Sequence, residues 1–289
     1  MRRVFASLVV AIASANALAD IRVRDDAGNE LMLDRPAMRI VTLAPHAAEL
    51  VFAAGAGARL VGTVRRSDHP PEAQAVAVIG DVHALDLERI VALRPDLVVT
   101  WPYTTPAQVA TLRRRGIAVF TTDPPTIDGI ASDIERLGVL AGSRDAARAA
   151  AQAFRARFAR IARTRSSEPP VRVFYQVWDS PLFTIGGGHL ISQGIRACGG
   201  QNVFESIRVP APQVSVEAVV AARPEVIVAG ADGAVRPAFL DDWRRWRDVP
   251  AVRTGRLYVV DADRLHRPGP RFVEGLEALC DAIAGAPTR

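Results

Sequence analysis

The chain has 289 residues, 49% of them hydrophobic, and a formal net charge of +5, which is length enough for one large or two medium domains. It contains no lysine, which excludes a P-loop phosphate site and Schiff-base catalysis. Its arginines are interspersed with acids and no basic run alternates with aromatics, so the charge describes a solvated surface and not a nucleic-acid-binding face.

In chain order, Arg2 and Arg3, an apolar run over 4–13 and Ala17-Leu18-Ala19 have the form of a secretory signal peptide with a small-residue cleavage site. The apolar run is too short to span a bilayer. Residues 1–19 are therefore expected to be removed. With no cysteine after the cleavage site to carry a lipid, a freely diffusing periplasmic protein is expected. A polar leader over 21–33 reads as a small hairpin around Asp25-Asp26-Ala27-Gly28. Strands are expected over 39–44, 60–62, 76–79 and 117–120, with helices over 47–54, 105–115 and 126–140. Strand and helix alternate, so the sheet should be mainly parallel. Residues 143–164 contain no Gly or Pro and carry Ala147, Ala150, Ala151, Phe154, Phe158 and Ile161 at helical spacing, with Ser143 as a candidate N-cap. That predicts one long helix, closed by Ser166-Ser167-Glu168-Pro169-Pro170. A strand over 171–177 then restarts the alternation. The expected organisation is an α/β lobe over 20–142, an inter-lobe segment over 143–166 and a second α/β lobe over 167–289.

One phrase occurs twice. Residues 86–99 and 214–228 each comprise a short amphipathic helix with an acid in its first turn, an Arg-Pro break and a β-branched strand. Proline disfavours the right-handed region for the residue before it, so both helices should stop near the arginine. Glu88 and Glu217 fall at equivalent places, where the helix dipole favours a carboxylate. Two similar lobes presenting one acid each suit a two-fold symmetric partner. Gly186-Gly187-Gly188-His189 lacks both the Gly-Lys-Ser/Thr ending and the dinucleotide spacing, and reads as a loop leading into a helix. Cys198 and Cys280 are expected to bridge in an exported protein, two buried thiols being the alternative. Of the histidines, His46 follows the first strand of the lobe, His83 precedes the first repeat helix, and His189 and His266 lie in loops. Each offers a neutral imidazole suited to a transition metal, or a satisfied polar role. No Gly-x-Ser-x-Gly elbow or His-Glu-x-x-His pair is present, so no enzyme is expected.

These residues resemble the helical-backbone class of periplasmic substrate-binding proteins, the metal-chelate receptors of ABC importers, and within it the cobalamin-binding members. The likeness rests on Arg39-Ile40-Val41-Thr42-Leu43-Ala44-Pro45 with Glu49-Leu50, on Leu87-Glu88-Arg89-Ile90-Val91-Ala92-Leu93, and on Pro181-Leu182-Phe183-Thr184. Cys198-Gly199-Gly200-Gln201-Asn202-Val203-Phe204 and Arg208-Val209-Pro210-Ala211-Pro212-Gln213-Val214-Ser215 extend it. The resemblance implies two Rossmann-like lobes joined by one long backbone helix, with the ligand held between them. It implies that Glu88 and Glu217 dock on the membrane permease subunits of an ABC importer, and that Cys198 and Cys280 pair. Phe183, Asp263 and Arg267 match cleft positions, and Pro45, His46 and Trp101 should lie nearby. Where cobalamin-binding members tend to carry aromatics this chain has Arg66, Val82 and Ala211, a loss of ring contact that should reshape the grip on a corrin. His83 falls near the place from which haem-binding members offer an axial ligand. The implied protein is a monomer without a cofactor or nucleic-acid partner, carrying cobalamin or a related corrinoid. A haem or ferric-siderophore receptor, direct Zn²⁺ or Mn²⁺ binding by the histidines, and a periplasmic metal-chelate enzyme are the alternatives. For a haem receptor, Arg66 would suit the propionates.

Overall fold

The computed structural model describes residues 21–164 and 169–285; the expected signal segment 1–19 and the expected helix end at Ser166-Ser167-Glu168 lie outside them. β1 (Ile21–Arg24) and β2 (Glu30–Leu33) pair as an antiparallel hairpin. Its turn is held by Asp25, whose carboxylate accepts the Asn29 backbone N–H at 2.7 Å. The first lobe then runs β3 (Ile40–Thr42), α1 (Pro45–Ala53), β4 (Leu60–Gly62) and the two-residue hairpin strands β5 (Gly80–Asp81) and β6 (Ala84–Leu85). It continues through α2 (Leu87–Ala92), β7 (Leu97–Thr100), α3 (Pro106–Arg114), β8 (Ala118–Thr121) and α4 (Ile127–Ala141). After α5 (Arg144–Thr164) the second lobe runs β9 (Val171–Gln176), α6 (Leu190–Ala197), β10 (Gly200–Asn202), α7 (Val216–Ala222) and β11 (Val226–Ala231). It ends with the short helices α8 (Ala238–Asp241) and α9 (Pro250–Arg253), then β12 (Leu257–Asp261), α10 (Ala262–Leu265) and α11 (Phe272–Ala284).

Both central sheets are parallel, ordered β4-β3-β7-β8 and β10-β9-β11-β12. The two orders superimpose strand for strand. The repeated phrase therefore occupies equivalent places, α2–β7 in one lobe and α7–β11 in the other. Asp86 and Ser215 cap the two helices by accepting the backbone N–H three residues on. At the Arg-Pro breaks, Arg94 and Arg223 both stand in the left-handed region at φ 47°. Proline bars the right-handed region, and the left-handed residue turns the chain sharply into the strand. One expected strand, over 76–79, is reduced to a single bridge between Thr63 and Val78. Its apolar character marks the burial of Ile79, after which the backbone turns into the β5–β6 hairpin instead of extending a ladder.

The long helix is fastened to both lobes. Ala147, Ala151, Phe154 and Ile161 bury one face. Beside them Arg155 bonds Asp128 at 2.7 Å and Glu135 at 2.8 and 3.0 Å on α4, while Arg157 bonds Glu277 at 2.6 and 2.9 Å on α11. A Cβ at Gly138 would lie 2.1 Å from that of Ala147, so only glycine lets α4 and α5 approach this closely. Ser143 uses its hydroxyl to donate to the Ala54 carbonyl at 2.6 Å, tying the start of α5 to the end of α1. Cys198 and Cys280 are bonded, fixing the end of α6 to α11 across 82 residues of sequence. The chain-entropy model gives such a loop about 4.5 kcal/mol as an upper bound. No helix of the described residues is long and apolar enough to cross a membrane.

The leader hairpin is strapped to α4 by Arg136, which bonds both Asp26 and the fully buried Asp133 and lies over the Phe120 ring at 5.3 Å. Thr122 donates to Asp133 at 2.7 Å. One guanidinium thus serves two carboxylates, and burial, then the charge of Asp26, push the Asp133 carboxyl up to about 8. The folded protein therefore holds a proton that the unfolded chain releases near pH 4. This contribution is complete below that pH and is lost as pH rises through the raised value. Denaturant titrations are expected to show stability falling by up to about 1 kcal/mol per pH unit between pH 5 and 8, and Asp133→Asn should flatten the slope. An unchanged slope in that variant would refute the assignment.

Candidate functional site

In parallel α/β sheets, ligands bind beyond the carboxyl ends of the strands. Here the two sets of strand ends are joined by contacts between lobes. Arg66, after β4, donates to Asp232, after β11, at 3.1 Å. Arg267, after α10, donates to Asp68 at 3.1 Å. The cleft lies between these loops.

On the first lobe, Pro45 occupies the first turn of α1, where its missing N–H is no loss. His46 is buried behind it, 5.6 Å from the Trp101 ring at a steep angle. Burial, then the charge of Arg267, pull His46 down to about 3, so its imidazole is neutral. Neither His46 Nε2 nor the buried Trp101 Nε1 has a hydrogen-bond partner among the described residues. Trp101 leaves β7 and stacks at a tilt on Tyr103 with 4.7 Å between centroids; Tyr103 is 74% exposed. The two rings form an apolar platform with His46 as its support. The loop carrying Arg66 is set by a buried hydroxyl chain, Thr42 to Thr63 at 2.7 Å and Thr63 to Ser67 at 2.8 Å. Arg66 itself stands at φ 65°, a strained conformation for a non-glycine residue that directs it across the cleft to Asp232. His83 is exposed at the tip of the β5–β6 hairpin, its N–H given to Asp81 at 3.2 Å, and Val82 lies beside it.

The cleft is crossed by a ladder of alternating charge. Asp232 pairs with Arg66, Arg66 approaches Asp263 at 3.6 Å, and Asp263 pairs with Arg267 at 2.7 Å. Arg267 also meets Asp68 at 3.1 Å and Glu49 at 3.6 Å. Arg271 grips Glu49 with two bonds of 3.0 and 2.6 Å. The outer pair, Arg66 with Asp232, is well exposed, whereas Glu49 is 3% exposed. The ladder is thus weak at its mouth and strong at its floor.

On the second lobe, β9 is followed two residues on by Trp178, 59% exposed, whose backbone bridges to Phe183. Phe183 bridges in turn to Gln213, so the loop at Ala211 lies near it. A Cβ at Gly186 or Gly187 would fall within 2.1 Å of the carbonyls of Val209 and Glu205 respectively. The glycine run thus serves close backbone packing and not a phosphate. His189 caps α6 through Nδ1, which accepts the Ile191 N–H at 3.1 Å, and burial pulls it down to about 4. His266 Nε2 lies 3.0 Å from the buried Tyr175 hydroxyl. Among the described residues, no group of three or more His, Cys, Asp or Glu side chains could hold a metal ion.

Glu88 and Glu217 stand in the first turns of α2 and α7, both exposed and without an ion-pair partner among the described residues. Hydrogen bonds from its own backbone and from Ser215 hold the Glu217 carboxyl below its ordinary value, so it is ionised. The structure thus brings Arg66, Asp263 and Arg267 into one ladder and Pro45, His46 and Trp101 into one wall. Among the described residues, Phe183 and His83 make no side-chain hydrogen bond, ion pair or ring contact with either group. Sequence reasoning missed Glu49, Asp68, Asp232 and Arg271 as cleft residues and Trp178 as an exposed ring. An acid inside an otherwise apolar helix was the one available signal for Glu49.

The profile of the family described as periplasmic binding protein matches residues 40–264. The vitamin B12-binding protein of Vibrio cholerae serotype O1 is 36% identical over 247 residues, 85% of this chain and 88% of that protein. The crystal structure of the periplasmic vitamin B12 binding protein of Vibrio cholerae superposes with a TM-score of 0.78 at 34% identity, covering 88% of this chain and 99% of that one. The apo form of a periplasmic haem-binding protein from Roseiflexus sp. RS-1 gives a TM-score of 0.75 at 27% identity, covering 86% and 98%.

Proposed function

The chain belongs to the periplasmic binding protein family, and from that premise we propose that it captures cobalamin or a related corrinoid in the cleft, in the periplasm, and delivers it unchanged to an ABC importer. The observation that carries the ligand is the pair of aromatic walls, the exposed Tyr103 stacked on the half-buried Trp101 on one lobe and the exposed Trp178 on the other, around a floor of polar groups. A corrin is a broad, partly apolar disc edged with amides. It needs flat apolar walls and a few fixed donors and acceptors. Phe183 adds apolar surface, and Asp263 and Arg267 are the groups that meet peripheral amides. The likeness to vitamin B12-binding proteins over most of the chain supports the same ligand. Glu88 and Glu217 are the docking acids, because each is ionisable, exposed and unpaired at equivalent points of two equivalent lobes.

Arg66 favours a second reading within the same fold, a haem receptor, since an unburied guanidinium at the cleft mouth suits a propionate. In that case His83 would be the first imidazole to test as an axial ligand. The two ligands make different demands on the walls. Tyr103→Ala and Trp178→Ala, both at exposed positions, are each expected to weaken cyanocobalamin binding about ten-fold with little change in melting temperature, read by tryptophan fluorescence quenching. Wild-type affinity in both variants would remove the platform from the site.

A further inference from the structure

A second cavity of about 300 Å³ opens against the segment joining Trp178 to Phe183, of which Asp179, Ser180 and Leu182 line it. Its apolar walls are Leu182, Val216, Phe239, Trp243 and Trp246, and its polar lining includes Gln176, Asp179 and the ion pair of Asp242 with Arg245. Gln176 is the last residue of β9 and 2% exposed. The Trp243 indole N–H, which can only donate, lies 2.7 Å from the Gln176 side-chain carbonyl. That bond fixes the amide plane and leaves its NH₂ turned to the cavity, with no hydrogen-bond partner among the described residues. Asp179 stands exposed on the same cavity and makes no ion pair with a described residue, whereas Asp242 is already paired with Arg245 at 3.0 Å.

A buried donor that is rigidly held, a free carboxylate acceptor and apolar walls between them are the complement of a primary carboxamide on a short alkyl stem. Its carbonyl accepts from Gln176 and its NH₂ donates to Asp179. A carboxylate on the same stem would face Asp179 with like charge and no proton to share. We infer that this cavity is a carboxamide subsite that takes one side arm of a corrinoid seated in the adjoining cleft, and that it rejects the acid counterpart. The inference rests on the proposed ligand and sharpens it, because haem carries carboxylates where a corrinoid carries amides.

The test is calorimetry of the mature protein with cyanocobalamin and with its monocarboxylic acids, in which one propionamide at a time is hydrolysed. One positional isomer is expected to bind wild type at least ten-fold more weakly than cyanocobalamin, with the others near parity. Asp179→Asn keeps an acceptor but removes the charge, so it should weaken cyanocobalamin modestly and bring that isomer to within about three-fold of cyanocobalamin measured on the same variant. Equal binding of all isomers by wild type, or an isomer pattern that survives Asp179→Asn, overturns the subsite and leaves the corrinoid reading intact. Failure of wild type to bind any corrinoid overturns both.

Discussion

Glu49→Ala is expected to lower the free energy of unfolding by about 3 kcal/mol, a loss of roughly 6 °C in melting temperature for a chain of this size. Glu49 sits in α1 of the first lobe and receives two bonds from Arg271 at the start of α11 in the second. Removing it leaves a partly buried guanidinium without its hydrogen-bonded partner, with only the more distant charges of Asp68 and Asp263 to offset it, the arrangement that makes broken buried pairs costly. Arg267 retains Asp68 and Asp263, which keeps the loss at the lower end of the usual 3 to 5 kcal/mol, roughly stated. Because the pair spans the lobes, the melting transition should also broaden as the two begin to unfold separately. Glu49→Leu with Arg271→Met should recover most of the loss, since an apolar pair of similar volume carries no desolvation penalty. Differential scanning calorimetry decides the matter; a sharp transition at the wild-type temperature in Glu49→Ala would mean that the pair does not couple the lobes.

The second large effect is on transport. Glu88→Ala combined with Glu217→Ala is expected to reduce uptake by about two orders of magnitude while ligand affinity stays within about two-fold of wild type. Both acids lie in first turns with no ion-pair partner among the described residues to lose, and Glu217 gives up only local hydrogen bonds from its own backbone and Ser215, so folding should be little affected. Each would form a charge-assisted bond to a cation of the permease, and removing both abolishes the matched pair of contacts that two equivalent lobes provide. Each single variant should show an intermediate loss. A double variant that transports normally would return the two carboxylates to helix stabilisation, and one that loses ligand affinity would place them in the cleft.

The repeated phrase was legible because its signals are local: a capping acid or serine, an Arg-Pro break, a β-branched run. The long helix was legible for the same reason, as residues 143–164 lack any breaker. Residues 76–79 misled because an apolar run reports burial, here of Ile79, and cannot report whether a neighbouring strand has a free edge beside it. The charge ladder was mostly hidden. Asp263 and Arg267 came from the family likeness, but Asp68, Asp232 and Arg271 look like ordinary surface charges, and their partners lie as far as 222 residues away in sequence. Gln176 was invisible for a related reason. A glutamine ending a buried strand reads as a strand terminus until the indole that locks its amide, 67 residues on, is placed beside it.

The claim that the cleft takes a corrinoid is tested most directly by isothermal titration of the purified mature protein with cyanocobalamin, with cobinamide, haemin and a ferric siderophore run in parallel. Tight one-to-one binding of cyanocobalamin, and weak or no response to haemin and the siderophore, is the expected result. Silence with both corrinoids and clear saturation by haemin would contradict it.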